Sequence, residues 1–311
     1  MLAEATVPAR AGLVGHPSDG YGGATLSVTL GNFAAHVAIG PAHGLQIEAT
    51  TGDGWPEGGE PLIRATVRRF CRHRLEAGAT FDPEIRVRYR STIPRKVGLA
   101  GSSAIVIATL RALAGYSGVP IEHHLLPELA LSVETDELGI AAGLQDRVVQ
   151  TYGGLVYMDF ARRRYEPLDA ALLPDLFVAW HGAAKGASAA AHAAVCERHA
   201  RRERAVVAAM TTLARLARDA RDALDRGDDD AFADALDAGY DVRASIFELD
   251  PRHVALVAAA RELGLPATYT GSGGAIVGVA RDRAAVTELA ARLHAGGVQL
   301  APAIRPSPAR P

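Results

Sequence analysis

The segment Ile93-Pro-Arg-Lys-Val-Gly-Leu-Ala-Gly-Ser-Ser-Ala104 runs directly into an almost wholly apolar stretch, residues 103–115, and few backbones can make that junction. Gly98 and Gly101 let the chain turn tightly and approach a ligand without interference from a Cβ. Ser102 and Ser103 then fall at the start of a buried helix. Its unpaired N–H groups and the positive end of its dipole suit a phosphate. A serine hydroxyl placed there can also reach a magnesium ion held by the same phosphates. Two readings stand side by side: a phosphate cradle, or a Gly-Ser-Ser sequence that only caps a helix. It is not a Walker loop, which needs Gly-Lys-Ser/Thr, nor a dinucleotide fingerprint.

The rest of the chain reads as two α+β lobes with a boundary near residues 165–175. Residues 24–40 and 84–92 are β-rich and partly alternating, which predicts strands. Between them, Pro61 to Leu75 sets Leu62, Val67, Phe70 and Cys71 near one face of a helix. Helices are expected at 122–137 and 143–151, then a strand at 155–160. After a strand at 176–180, residues 187–226 are proline-free and rich in Ala, Arg, Glu and Leu, predicting one or two long helices. Helices at 229–247 and 251–263 follow, then strands at 267–270 and 275–280 around a loop at 271–274. A helix near 282–295, a strand at 297–301 and a proline-rich frayed tail complete the pattern.

Composition narrows the function classes. A chain of 311 residues with a formal net charge of −2 offers no global field for nucleic acid or an anionic membrane. The N-terminus lacks the pattern of a signal peptide, and no apolar run reaches the length of a membrane helix. Cys71 and Cys196 cannot build a disulfide scaffold and fit a reducing cytoplasm, as small buried hydrophobes. Among 33 basic side chains only Lys96 and Lys185 are lysines, the compact and mobile kind of point charge.

Two further glycine-containing segments accompany the central loop: Pro8-Ala-Arg-Ala-Gly-Leu-Val-Gly-His-Pro-Ser-Asp-Gly-Tyr-Gly-Gly23 and Thr270-Gly-Ser-Gly-Gly-Ala275. This order resembles the GHMP kinases. The central loop matches their P-x-x-x-G-L-x-S-S-A signature with one extra residue between Leu99 and Ser102. The match is closer still to the glucuronokinases. The chain shares their Pro-Ser-Asp motif at 17–19, Gly98-Leu-Ala-Gly-Ser-Ser-Ala-Ile105, and Ala142-Gly-Leu-Gln-Asp-Arg147 followed by Tyr152-Gly-Gly-Leu-Val-Tyr-Met-Asp-Phe160. His16 stands where that group has asparagine, which puts a titratable ring beside the substrate motif.

The resemblance implies a two-lobed GHMP kinase fold: an N-terminal β-α-β lobe over 1–168, a C-terminal ferredoxin-like lobe over 169–305, and a tail at 306–311. It implies MgATP as phosphoryl donor and a sugar or uronic acid as acceptor, most specifically the anomeric hydroxyl of D-glucuronate. Gly98, Leu99, Ala100, Gly101, Ser102, Ser103 and Ala104 would hold the nucleotide phosphates, and Ser103 and Glu134 the magnesium. Asp146 would take or orient the acceptor proton, and Arg10 would lie near the transferred phosphate or the acceptor. Asp19, nine residues after Arg10, would accept sugar hydroxyls, although Ser-Asp-Gly is also a turn sequence. Gly271, Ser272, Gly273 and Gly274 form the third motif. Arg147 and Lys185 are the candidates for the acceptor carboxylate, against an internal ion pair for Arg147 and an exposed loop for Lys185.

Other patterns are weaker. Asp136 and Glu137 flank Glu134 on a helix and read as a solvated face. His192, Cys196 and His199 recur at helical spacing without a fourth zinc ligand. Arg198 to Arg204 reads as a solvated helix face rather than a nucleic-acid surface. A different sugar (galacturonate, a heptose or a neutral hexose) and a catalytically silent ligand-binding protein remain as alternatives.

Overall fold

The computed structural model describes residues 2–50, 59–181 and 189–303. The chain folds as two compact units interleaved in sequence. Residues 2–9, 32–94 and 100–151 build the first; 10–31, 95–99 and the chain from 152 onward build the second. The strands β1 (Ala3–Val14) and β2 (Ala24–Pro41) each contribute to both. None of the described helices is long and apolar enough to cross a membrane.

In the first unit, the C-terminal half of β2 pairs antiparallel with β4 (Ile85–Ser91), and β4 pairs parallel with β3 (Gln46–Ala49). Alternation along β4 buries Ile85, Val87, Tyr89 and Ser91 and turns the arginines between them outward. The helix α1 (Gly59–Glu76) buries Leu62, Ile63, Val67 and Phe70, and the Phe70 ring meets Phe81 edge-on at 5.1 Å. Cys71, expected on that face, is only half-buried. The helix α2 (Gly101–Ser117) is buried almost all round from Ser103 to Leu113, as its apolar sequence requires.

One expected helix is broken. In place of a helix over 122–137 stand α3 (Leu126–Ser132) and a π-helical turn, Val133–Glu137. Apolar periodicity continues through the break, so the change of hydrogen-bond register leaves no trace in the sequence. The widened turn also overturns the reading of Glu137. Its side chain is only 6% exposed and pairs with Arg68 at 3.2 Å and Arg72 at 3.0 Å, whereas Asp136 is exposed as expected. Last in this unit comes α4 (Gln145–Tyr152).

In the second unit, the N-terminal half of β2 pairs with β5 (Leu155–Asp159), which pairs with β6 (Arg164–Leu168). A separate antiparallel sheet has the order β10-β7-β9-β8, formed by β7 (Leu176–His181), β8 (Ala267–Tyr269), β9 (Ala275–Val279) and β10 (Val298–Pro302). With helices between β7 and β8 and between β9 and β10, this is the ferredoxin-like order. Four helices fill the first connection: α5 (Ala189–Ala200), α6 (Arg204–Asp225), α7 (Asp229–Ala244) and α8 (Pro251–Glu262). One, α9 (Arg283–His294), fills the second. Phe177, Tyr240, Leu256, Tyr269 and Ile276 centre the core of this sheet.

The arginine run 198–204 straddles a helix junction: Arg198 lies in the last turn of α5, Arg201 and Arg202 in the turn that follows, and Arg204 opens α6. Arg198 donates to both carboxylate oxygens of Glu203, at 2.8 and 2.6 Å, and to the Ile246 carbonyl at 2.7 Å. Cys196 is exposed rather than buried, with its Sγ 3.2 Å from the Tyr21 hydroxyl. His192 packs against the Phe247 ring and His199 against Tyr21.

Gly278 of β9 has no room for a side chain. A Cβ there would lie 2.4 Å from the Phe177 ring and 2.6 Å from the Pro266 carbonyl. Gly278→Ala is expected to destabilise the protein by about 1–3 kcal/mol through overpacking. Chemical denaturation reads it, and an unchanged midpoint would show that the ring moves aside freely.

Candidate active site

The approach to α2 is held by hydrogen bonds converging on Ala100. This residue adopts a left-handed conformation, φ 59°, which an alanine holds only against a steric penalty. Its carbonyl accepts from the Ala104 N–H at 3.1 Å, the Ser103 hydroxyl at 3.2 Å and the Gln150 amide Nε2 at 3.0 Å. Gln150 Nε2 also donates to the Pro8 carbonyl at 2.9 Å, which fixes the amide so that Oε1 accepts from the Ser103 hydroxyl at 2.5 Å. Ser103 is thus buried and oriented from α4. The first amides of α2 precede any partner within the helix, so this end can receive an anion.

Three charged side chains lie together in the same unit. Glu134, on the π-helical turn, is buried and forms an ion pair with Arg147 of α4. Arg147 also donates to the Gly143 carbonyl at 2.7 Å and stands 3.8 Å from the Asp146 carboxylate. Asp146 is the most open of the three, its side chain 24% exposed against 4% for Arg147 and 3% for Glu134. Its place in the first turn of α4 suits a negative charge. Arg147, a candidate for the acceptor carboxylate, has its charge met from within the protein by Glu134.

In the second unit, the two other glycine segments pack backbone against backbone. A Cβ on Gly98 would lie 3.1 Å from the Ser272 amide and the Gly273 carbonyl, and one on Gly274 would lie 2.8 Å from Val97 Cα. Arg10 joins them. It is buried, and its Nη1 donates to the carbonyls of Gly98 and Thr270, both at 2.7 Å. The Thr270 hydroxyl donates to the same Gly98 oxygen at 3.0 Å. Gly271 must be glycine here, since a Cβ would come within 2.9 Å of both terminal nitrogens of Arg10. Ser272 is the exposed member of the loop, with Gly271, Gly273 and Gly274 buried.

Asp19 sits on a short 3-10 turn, Ser18–Tyr21, half-buried. Beside it His16 is buried. Burial, with the positive charges of Arg243 and Arg10, holds its ring well below the usual histidine range. Lys185 lies outside the described residues. Sequence reasoning missed Gln150, Thr270 and Arg243. Gln150 falls within the Gln-Asp-Arg motif region and on the inward face of α4, which was the available signal. Arg243 lies on α7 with no motif around it.

Residues 61–154 match the GHMP kinases N terminal domain and residues 220–299 the GHMP kinases C terminal domain. The chain is 34% identical to Glucuronokinase 1 of Arabidopsis thaliana and 35% identical to Probable glucuronokinase 2 of the same plant. Each match covers 86% of this chain and 82% of the relative. The fold is similar to that of Lactococcus lactis galactokinase complexed with galactose, with a TM-score of 0.80 at 15% identity over 99% of this chain and 94% of the other.

Two depressed imidazoles, the buried His16 and the half-buried His192, give the second unit a pH signature. His16 is depressed as described, and burial together with Arg243 brings His192 down to about 4. On acidification the unfolded chain takes up protons near pH 6.5 while the folded protein does not, so stability falls as pH drops below about 7. The urea midpoint is expected to fall between pH 7 and pH 5. A variant carrying His16→Gln and His192→Gln should show a shallower fall, and a parallel fall would place the proton uptake elsewhere.

Proposed function

The chain belongs to the GHMP kinases, and within that family we propose that it is a glucuronokinase, moving the γ-phosphoryl group of ATP to the anomeric hydroxyl of D-glucuronate. The carrying observation is the identity of about a third to two glucuronokinases across most of both chains. Side-chain geometry in each unit supports it.

The first turn of α2 offers the amides of Gly101, Ser102 and Ser103 and the Ser102 hydroxyl to the nucleotide phosphates, with Ala104 closing the turn onto Ala100. Gly98 and Leu99 lead into that turn. Magnesium fits the residues present. Ser103 and Glu134 are buried and present hard oxygen atoms with one negative charge, and Glu134 Oε2 has no hydrogen-bond donor beside its ion pair with Arg147. Magnesium takes such a set when phosphate oxygens supply the remaining ligands. Bound there, it would neutralise charge on the transferring phosphoryl group. Arg147 pairs with the Glu134 carboxylate and fixes it, and Gln150 keeps the Ser103 hydroxyl in place.

Asp146, the open carboxylate, accepts the proton of the acceptor hydroxyl as its oxygen bonds to the γ-phosphorus. The bond from that phosphorus to the ADP oxygen breaks, and ADP leaves with the electron pair. Asp19 accepts hydrogen bonds from sugar hydroxyls. Arg10 adds positive charge for the phosphate or acceptor while holding the Gly98 and Thr270 carbonyls, with Gly271 to Gly274 completing its surround.

Asp146→Asn is expected to lower kcat by about 10²–10⁴-fold with nucleotide affinity retained, because an amide takes no proton. Glu134→Gln should lose about 10²–10³-fold, most severely at limiting magnesium. The reading itself is tested by kcat/KM for glucuronate, galacturonate, glucose and galactose under saturating MgATP. Preference for a neutral hexose would overturn the uronate assignment and leave the kinase standing.

A further inference from the structure

Arg243 is among the largest fully buried side chains of the described residues, 2% exposed. Among the described residues no carboxylate forms an ion pair with it, and its Nε and Nη1 have no hydrogen-bond partner. Arg147 provides the internal comparison: equally buried, it is matched by Glu134 and by the Gly143 carbonyl. Proteins rarely retain a buried cation without an anion or hydrogen bonds, because the lost hydration is not replaced. Burial lowers Arg243 only to about 10, so it remains charged at neutral pH.

Its surroundings belong to the second unit and are largely aromatic. The guanidinium lies over the Phe247 ring at 5.2 Å and the Tyr269 ring at 5.4 Å, which orient it without neutralising it. Tyr269 is followed directly by Thr270, whose carbonyl holds Arg10. Arg10 and Asp19 both act electrostatically on Arg243, one opposing and one favouring its charge. The same two guanidinium charges act on His16. Arg243 thus adds a second permanent positive charge to the surround of His16, without an ion pair of its own among the described residues.

We propose that Arg243 binds the carboxylate of the uronic acid acceptor and is the residue that makes the site select an acidic over a neutral sugar. This rests on the glucuronokinase reading. It moves the carboxylate-binding role to α7 from Arg147, whose charge is already met. The choice of carboxylate over the transferred phosphoryl group follows from Asp19 and His16, which belong to the motif that the resemblance gives to the sugar. At this depth the carboxylate docks only as a covering side chain swings aside. His192 of α5 packs against the Phe247 ring over which Arg243 lies, and is the candidate cover.

The test compares glucuronate with D-glucuronamide, its neutral isostere, and with glucose, at saturating MgATP. Wild-type protein should prefer glucuronate over both; if it does not, the glucuronokinase reading fails before Arg243 is touched. In Arg243→Gln the kcat/KM for glucuronate should fall about 10²-fold or more, chiefly through KM, while values for glucuronamide and glucose hold or rise. Arg243→Lys retains the charge and guards against loss of folding in the glutamine variant. It should lose about tenfold on glucuronate alone and keep the order of preference. An equal fall for all three sugars in the lysine variant, with the melting temperature unchanged, would overturn the proposal, as would a rise in KM for ATP in place of the sugar.

Discussion

A single guanidinium nitrogen of Arg10, 2.7 Å from two carbonyl oxygens, ties together loops that lie about 170 residues apart in sequence, at Gly98 and Thr270. Everything about those loops follows from the closeness this imposes. Backbone approaches backbone, so Gly98, Gly271 and Gly274 have no room for a Cβ. The Leu99 carbonyl, the last one before Ala100, is in turn held by the Arg10 amide. Gln150 and Ser103 secure the first turn of α2. The start of α2 is shaped by the Ala100 and Pro8 carbonyl groups being held in place, more than by the serines that mark it in the sequence.

Much of this was readable before any coordinates. Gly98, Gly101 and the paired serines ahead of an apolar run could be little other than a helix start, and α2 begins at Gly101. The ferredoxin-like strands at 176–181, 267–269 and 275–279 fall where β-rich segments meet turn residues. Short strands were harder. Residues 3–14 mix Ala, Glu, Pro and Arg with little alternation, because much of β1 is buried on both faces. The strands β3 and β6 carry mostly polar residues and owe their form to their partners, β4 and β5.

The candidate site was legible where glycine or a motif marked it, and illegible where its chemistry depends on partners distant in sequence. Glu134 and Asp146 stand out by type and spacing, but nothing local tells that Arg147 between them is already engaged. Glu137 looks like an ordinary helix-surface acid until the π-helical turn swings it toward Arg68 and Arg72 on another helix. Arg243 is the extreme case. In Tyr240-Asp-Val-Arg-Ala244 it resembles any amphipathic helix arginine, and only the fold reveals that its charge is buried.

The interleaving of the two units has a consequence for how the protein must be made. Residues 24–28 of β2 leave the ribosome early, yet their partner in β5 is residues 155–159, so that strand edge waits through more than a hundred residues of synthesis. Arg10 waits longer still, for the Thr270 carbonyl near the end of the chain. Non-local closures of this kind slow folding, because loop entropy is lost before the contacts form. The first unit, with its helices and the 35–41 and 85–91 pairing complete by residue 151, can consolidate on the nascent chain. The second cannot, and the glycine loops that depend on it are among the last parts of the molecule to acquire their shape.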